Sequence, residues 1–376
     1  MNPEKILFTS LDNVDNKGFQ RLIKGNSDLR TLDALHVNDD SIILVDGKGA
    51  CFVKQQAEPY FKVNQIVGDR TTHITSDGSV FSVETSSNNL RQTTSSVLFK
   101  EGKEVYASES YEIEKFLKID KSTIVGIGKF YYYNPNNANT LREGSCIIKS
   151  IDNGNTWNQT ATTDYRLWDI DYSNNVLFVS GDRKTILVST DKGDSFSIKY
   201  KDEHSSNSFT EVLFFDQNNG LAVENKELYQ TTNGGKNWLL IDGLKGHGNY
   251  KNNVHKIDSL SAMVFFGESS NIAVTHDKGK NWSIINNNPF GSYIKEFASL
   301  SSDIYVSDNN KKDLWYHPSL GISTILRIDS LQDSTVCTNS STNLFITYDT
   351  FEEGNNTKIS LSTKALLLMM DSSRVH

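Results

Sequence analysis

The chain has 376 residues, of which 37% are hydrophobic and 22% charged, and its formal net charge is −8. This acidic balance argues against general nucleic-acid binding, which needs a basic surface. No apolar stretch approaches the roughly 18 residues that a transmembrane helix needs, and the first residues hold no long apolar segment. We therefore expect no membrane span, no signal peptide and a cytoplasmic protein, with a mature secreted form as the alternative.

Short apolar runs separated by polar turns make up most of the chain, which is typical of β-strands. We expect little helix, because no window shows helical apolar periodicity. Eight times, a strand-like run is followed by a short polar turn and a second apolar run. These pairs begin at Leu32, Val63, Phe116, Leu167, Val212, Val254, Ile294 and Ile325.

A polar motif follows such pairs four times in the middle of the chain. It has the form Ser/Thr-x-Asp/Asn-x-Gly-x-x-Trp/Phe and begins at Ser150, Ser189, Thr231 and Thr275. Its third position falls at 152, 191, 233 and 277, so the steps are 39, 42 and 44 residues. A period near 40 is typical of solenoids and propellers.

The residue types of this motif suit a hairpin turn. An Asp or Asn oxygen accepts hydrogen bonds from backbone N–H groups further along the turn, and Gly adopts a positive φ readily. The aromatic residue begins the next strand and buries a large area. We therefore expect a structural role for twelve residues: Asp152, Gly154, Trp157, Asp191, Gly193, Phe196, Asn233, Gly235, Trp238, Asp277, Gly279 and Trp282.

These four copies resemble the Asp-box, or BNR, repeat of sialidases, sortilin-type receptors and photosystem II assembly factors. The resemblance implies an all-β fold, a β-propeller of four-stranded antiparallel blades, whose boxes lie on one face, away from the ligand. Clear boxes lie within residues 112–288. We expect a single domain over residues 1–376, in which strands within 1–28 close the ring.

The number of strand pairs predicts eight blades. Two intervals, near residues 47–78 and 309–340, are too short for a complete blade, so seven blades is the alternative.

Binding should use the face opposite the boxes, at long segments held by the rigid scaffold. The longest is 129–144, which contains Tyr131, Tyr132, Tyr133 and Arg142, residue types that are enriched at binding hot spots. His247 and Tyr250 lie in another long link, 244–251. The alternative interpretation is that the three tyrosines continue a strand and alternate between its two faces.

The sequence contains no clear set of catalytic or metal-binding residues. A sialidase-like site, which the resemblance suggests, needs an arginine triad that holds a carboxylate and a Tyr nucleophile. The resemblance also implies a Phe-Arg-Ile-Pro-like element ahead of the first box. The nearest match, residues 19–23, has a shifted Arg and no Pro. The eight His and three Cys show no metal-ligand spacing.

We therefore expect no metal, no cofactor and no enzymatic activity. The leading hypothesis is a non-catalytic propeller that binds a protein or peptide. The alternatives are a glycan-binding protein or sialidase-like glycosidase, and an assembly factor for a complex.

Overall fold

A computed structural model describes residues 6–7, 20–23, 32–39, 41–46, 50–55, 60–66, 71–87, 94–134, 137–245, 252–266, 272–285, 294–300, 303–308, 313–317, 344–349 and 356–361. Every regular element among them is a β-strand, and this part of the chain contains no helix that could cross a membrane. The chain divides into two compact units, Met1–Gly321 and Ile322–His376.

Two short strands, β1 (Ile6–Leu7) and β2 (Gln20–Ile23), come first. Sheet 1 follows with β3 (Leu32–Val37), β4 (Ser41–Asp46), β5 (Ala50–Gln55) and β6 (Tyr60–Ile66). Sheet 2 contains β7 (Thr71–Ile74), β8 (Val80–Ser87), β9 (Thr94–Lys100) and β10 (Lys103–Ser108). Sheet 3 contains β11 (Glu112–Lys118), β12 (Ile124–Asn134), β13 (Asn137–Ser150) and β14 (Asn158–Thr163).

Sheet 4 contains β15 (Leu167–Ser173), β16 (Val176–Gly181), β17 (Thr185–Ser189) and β18 (Ser197–Tyr200). Sheet 5 contains β19 (Glu211–Phe214), β20 (Gly220–Glu224), β21 (Glu227–Thr231) and β22 (Leu239–Lys245). Sheet 6 contains β23 (Asn252–Lys256), β24 (Ala262–Phe266), β25 (Ile272–Thr275) and β26 (Ser283–Ile285), and sheet 7 contains β27 (Ile294–Leu300), β28 (Asp303–Asp308) and β29 (Asp313–His317). The described residues of the second unit form an antiparallel hairpin, β30 (Leu344–Asp349) and β31 (Asn356–Leu361).

Sheets 1 to 7 are antiparallel, and consecutive strands are neighbours in each. The N-terminal strands join the first and last of these sheets: β1 pairs with β6 as a fifth strand of sheet 1, and β2 pairs with β29 as the fourth strand of sheet 7. The first strand of sheet 7, β27, lies against the first strand of sheet 1, β3. The row of sheets therefore closes on itself, with the last sheet lying against the first.

One of the predicted strand pairs is wrong. The run at Val63 belongs to β6, the outer side of sheet 1, and the run at Thr71 is β7, the first strand of sheet 2. Both runs read as strands, but the link between them joins two sheets rather than two strands of one sheet. The eighth predicted pair, near 325–337, lies outside the described residues, so the number of blades in the whole chain stays a prediction.

The four motifs each form a tight turn between the third and fourth strands of sheets 3 to 6, which we call the box turns (150–157, 189–196, 231–238 and 275–282). In the last one, Thr275 Oγ1 accepts a hydrogen bond from the Gly279 N–H at 2.9 Å and donates to Asp277 Oδ1 at 2.9 Å. The Asp277 carboxylate also accepts from the Asn281 N–H at 2.8 Å. In the other three turns a glycine N–H likewise donates to the Ser or Thr hydroxyl four residues earlier.

Glycine is required in the box turns for two reasons. Gly154 has a φ of 83°, a left-handed conformation that other residues adopt at a cost. A Cβ at this position would lie 2.6 Å from the Phe81 ring of sheet 2. Trp157 lies in the same cluster, with its ring centroid 6.5 Å from that of Phe81 and 5.4 Å from that of Phe116. The turn of one sheet therefore packs against the sheet before it.

Ion pairs join neighbouring sheets at this end of the molecule. Lys192 in a box turn of sheet 4 lies 2.7 Å from Asp120 of sheet 3, and Lys278 of sheet 6 lies 2.9 Å from Asp216 of sheet 5. The hydrogen bond from Lys192 holds the pKa of Asp120 well below its usual range. Lys192 and Lys278 thus link neighbouring sheets at this end.

We predict that the cost of removing a box carboxylate depends on its burial. Asp277 is 8% exposed and Asp191 is exposed. Asp277→Ala should lower the free energy of unfolding by about 2–3 kcal/mol, because the buried Thr275 hydroxyl and the partly buried Asn281 N–H lose their acceptor, whereas Asp191→Ala should cost about 1 kcal/mol. Urea denaturation of both variants measures this, and equal costs would contradict the ranking.

A second prediction concerns acid stability. Burial alone raises the pKa of Asp152, but hydrogen bonds from Thr156, Ser150 and the Asn155 N–H outweigh it and lower that pKa to about 2. Because the folded pKa lies below the unfolded one, the stabilisation is complete above about pH 4 and is lost as the pH falls towards about 2. The third box has Asn233 at this position, which does not titrate.

Asp152→Asn should therefore lose less stability than the wild type between about pH 4 and pH 2. Denaturant midpoints of the two proteins across that interval provide the measurement. Parallel curves would show that Asp152 contributes nothing to the acid response.

Candidate functional site

Sheet 3 has the longest strands, with 11 residues in β12 and 14 in β13. β11 pairs with β12 only as far as Glu112 opposite Lys129, and β14 pairs with β13 only as far as Ser145 opposite Thr163. Residues 130–134 and 137–144 therefore extend beyond the sheet as a two-stranded hairpin, which we call the tyrosine ribbon. It lies at the opposite end of sheet 3 from the box turn that follows Ser150.

The expected loop at 129–144 is thus a pair of strands, and the alternative interpretation of the tyrosines is the correct one. Tyr131 lies opposite Glu143, Tyr132 opposite Arg142 and Tyr133 opposite Leu141 in the register of β12 and β13. Tyrosine favours strands because its ring packs well on a pleated surface. The three tyrosines therefore alternate between the two faces of the ribbon.

Exposure differs along the ribbon. Tyr133 is 47% exposed, and Arg142 is exposed as well. Tyr132 is half-buried: its ring centroid lies 6.0 Å from that of Phe130, and its hydroxyl donates a 2.7 Å hydrogen bond to the Asp164 carbonyl. The ribbon is thus anchored near its base and presents Tyr133 and Arg142 towards solvent.

A network of charged groups holds the base of the ribbon. Arg166 donates to Glu143 Oε2 at 2.8 Å and to Glu114 Oε1 at 2.6 Å, while Lys129 lies 2.9 Å from Glu112. Burial raises the pKa of the Glu114 carboxyl, and the charges of Arg166 and Lys129 oppose that rise. Arg166 and Lys129 therefore neutralise local carboxylates.

Arg166 also has an aromatic neighbour. Its guanidinium lies 4.5 Å from the centroid of the Trp168 ring, a cation–π geometry. The Trp168 Nε1–H donates to Asp182 Oδ1 at 2.8 Å, and the Arg166 N–H donates to the other oxygen of Asp182 at 3.1 Å. These contacts connect the base of the ribbon to the turn between β16 and β17.

That turn has an unusual backbone. Arg183 and Lys184 have φ values of 55° and 52°, a left-handed conformation in two consecutive residues that are not glycine. Such a conformation is unfavourable and persists only where surrounding contacts hold it. Lys184 supplies those contacts: its ammonium lies 2.7 Å from the buried Glu224 carboxylate and 4.5 Å from the centroid of the Tyr229 ring.

Arg183 makes a weaker contact. It forms a 3.1 Å ion pair with Glu203, and both side chains are more than half exposed, at 52% and 60%. Exposed pairs of this kind contribute little to stability. The turn therefore presents an arginine to solvent at the cost of backbone strain, on the same end of the sheets as the ribbon.

The structure brings Tyr131, Tyr132, Tyr133 and Arg142 together on one ribbon, whereas His247 and Tyr250 lie outside the described residues. Sequence reasoning missed Arg166 and Trp168. Arg166 directly precedes β15 and Trp168 is its second residue, and an Arg and a Trp so close in sequence could have indicated a cation–π pair. In the described part of the chain, no group of three or more His, Cys, Asp or Glu side chains could hold a metal ion.

Neither a protein-family model nor a curated protein matches the sequence. Solved structures do match the fold. YCF48 bound to D1 peptide is similar with a TM-score of 0.55 and 10% identity, over 84% of this chain and 100% of that one. YCF48 from Cyanidioschyzon merolae has a TM-score of 0.54 and 10% identity, over 80% and 98% of the two chains.

Virginiamycin B lyase from Staphylococcus aureus is similar with a TM-score of 0.51 and 11% identity, over 79% of this chain and 98% of that one. These structures are β-propellers. The protein is a β-propeller. At these identities the likeness shows the fold alone, and propellers carry both binding and enzymatic functions.

We predict opposite effects for the two residues of the strained turn. Arg183→Asn should raise the free energy of unfolding by about 0.5–1 kcal/mol, because Asn tolerates a left-handed backbone and only an exposed ion pair is lost. Lys184→Asn relieves the same strain but should cost about 2–4 kcal/mol, because it leaves the buried Glu224 carboxylate without its cation. Thermal and urea denaturation measure both, and a destabilised Arg183→Asn would refute the strain argument.

Proposed function

We propose that this protein is a non-catalytic, Asp-box type β-propeller that binds a protein or peptide through the end opposite the box turns. The observation that carries the proposal is the tyrosine ribbon. It extends past its own sheet and ends in an exposed Tyr133 and an exposed Arg142. Tyrosine and arginine are enriched at binding hot spots because they combine large contact area with polar groups.

The base of the ribbon favours a binding surface that is formed in advance. The Tyr132 hydroxyl and the Glu143 carboxylate are both engaged, at 2.7 Å and 2.8 Å. A ligand that binds a fixed surface avoids the entropy cost of ordering it. YCF48 has been solved with a D1 peptide, so a propeller with this fold can hold a peptide.

Catalysis of the sialidase type fits the described residues less well. It would need three arginines that converge on one carboxylate. Arg166 is already bonded to Glu114 and Glu143, and Arg183 is paired with Glu203. A glycan-binding or sialidase-like activity is therefore the competing hypothesis, and an assembly role would be one use of a protein-binding face.

Selection of random linear peptides by phage display on the full-length protein tests the proposal. We expect to select peptides that bind the wild type, and Tyr133→Ala should weaken the binding of a selected peptide by about 1–3 kcal/mol. The melting temperature should hardly change, because Tyr133 is 47% exposed. Leu239→Ala is the matched control, since Leu239 is 74% exposed on the outer strand of sheet 5.

A glycan array and a fluorogenic sialidase substrate complete the experiment. Failure to select any peptide would overturn the proposal, and glycan binding or substrate hydrolysis would then support the competing hypothesis. A peptide whose affinity falls with Leu239→Ala but not with Tyr133→Ala would place binding elsewhere on the molecule.

A further inference from the structure

We propose that the tyrosine ribbon takes its ligand by strand addition: an extended peptide that carries a carboxylate pairs with β12 along Phe130–Tyr132 as a third strand. This inference rests on the proposed function and names the ligand class and the binding mode. An unpaired strand edge presents a row of N–H and C=O groups that can pair with another chain.

The edge in question is the side of β12 that faces β11. Between the box-turn end of sheet 3 and the ribbon, β11 pairs with β12 from Lys118 opposite Ile124 to Glu112 opposite Lys129. Beyond that point, in the part of the chain that the structure describes, Phe130, Tyr131 and Tyr132 are paired with β13 and with no other strand. A peptide there would continue the line of β11, antiparallel to β12.

β11 itself cannot extend to cover this edge, because the chain is fixed elsewhere just before Glu112. Tyr111 is 5% exposed, its hydroxyl is hydrogen-bonded to that of Tyr106, and its carbonyl accepts a 2.9 Å hydrogen bond from Ser96. These contacts turn the chain towards sheet 2. Among the described residues, no strand therefore fills the place beside β12 in the ribbon.

The opposite edge of the ribbon is less suitable. The chain that leaves β14 passes close to β13 at its base: a Cβ on Gly144 would lie 2.6 Å from the Thr163 carbonyl. Tyr132 also reaches across to the Asp164 carbonyl on this side. These contacts favour the β12 edge over the β13 edge as the site of addition.

The side chains of the ribbon indicate which peptide would fit. In a pleated sheet, alternate residues of an added strand would meet Tyr131 on one face and Phe130 and Tyr132 on the other. Aromatic and β-branched side chains pair well across strands with aromatic ones. We therefore expect a peptide rich in Val, Ile, Thr, Tyr or Phe.

Charge supplies the second element of recognition. Lys129 and Arg166 are engaged by Glu112, Glu114 and Glu143. Arg142 is exposed and, among the described residues, forms no ion pair. It lies on β13, two strand spacings or about 10 Å from an added strand. Arg and Glu side chains together can span that distance, so a peptide Asp or Glu would complement Arg142.

The test uses the tightest peptide from the display selection, resynthesised with one backbone N-methyl group at each position in turn. Strand addition predicts a period of two: methylation of every second residue should weaken binding at least about tenfold, because it removes a hydrogen bond to β12. Methylation of the residues between should have little effect. The protein is unchanged throughout, so folding does not enter the comparison.

Arg142 is tested with a double-mutant cycle. Replacing the acidic residue of the peptide by its amide should weaken binding to the wild type and leave binding to Arg142→Ala unchanged. If the losses of affinity on N-methylation do not alternate along the peptide, or if N-methylation causes no loss, strand addition is overturned while peptide binding stands. Selection of no peptide overturns the proposed function and this inference with it.

Discussion

The hydrogen bond from a glycine N–H to a Ser or Thr hydroxyl four residues earlier is the interaction on which this propeller depends. It occurs in all four box turns, at 2.8 or 2.9 Å. It allows the third and fourth strands of a sheet to be joined by a turn so compact that its glycine packs against the preceding sheet. One local motif therefore forms both a hairpin turn and a contact between sheets. A Cβ on Gly154 would disturb both.

A consequence is that the two ends of the sheets differ in structure. At the box end, the compact turns and ion pairs such as Lys192–Asp120 join neighbouring sheets. The opposite end bears no such turns on sheet 3, and its strands can lengthen without disturbing the packing. There β12 and β13 extend as the ribbon, and a network centred on Arg166 connects them to the next sheet. Under the proposed function, binding can be varied at one end while stability is maintained at the other.

Sequence reasoning predicted the all-β class, the four-stranded sheets and the positions of the box turns, because these depend on contacts between residues close in sequence. It misread the segment at Val63, where composition cannot tell a link between sheets from a turn within one. It also took 129–144 for a loop, since its Asn and Pro residues are typical of turns, although the tyrosines favour a strand. The Arg166 network was missed because its carboxylates lie 52 and 23 residues away, and only the fold brings them together.

Hydrogen–deuterium exchange of the full-length protein, with and without a bound peptide, tests the central claim that binding and structural turns occupy opposite ends. The account predicts slower exchange in residues 129–144 on binding, strongest in β12, with no change in the box turns at 150–157 and 189–196. Such a pattern requires no variant and is independent of which peptide is used. Protection of the box turns, with none in the ribbon, would contradict the account.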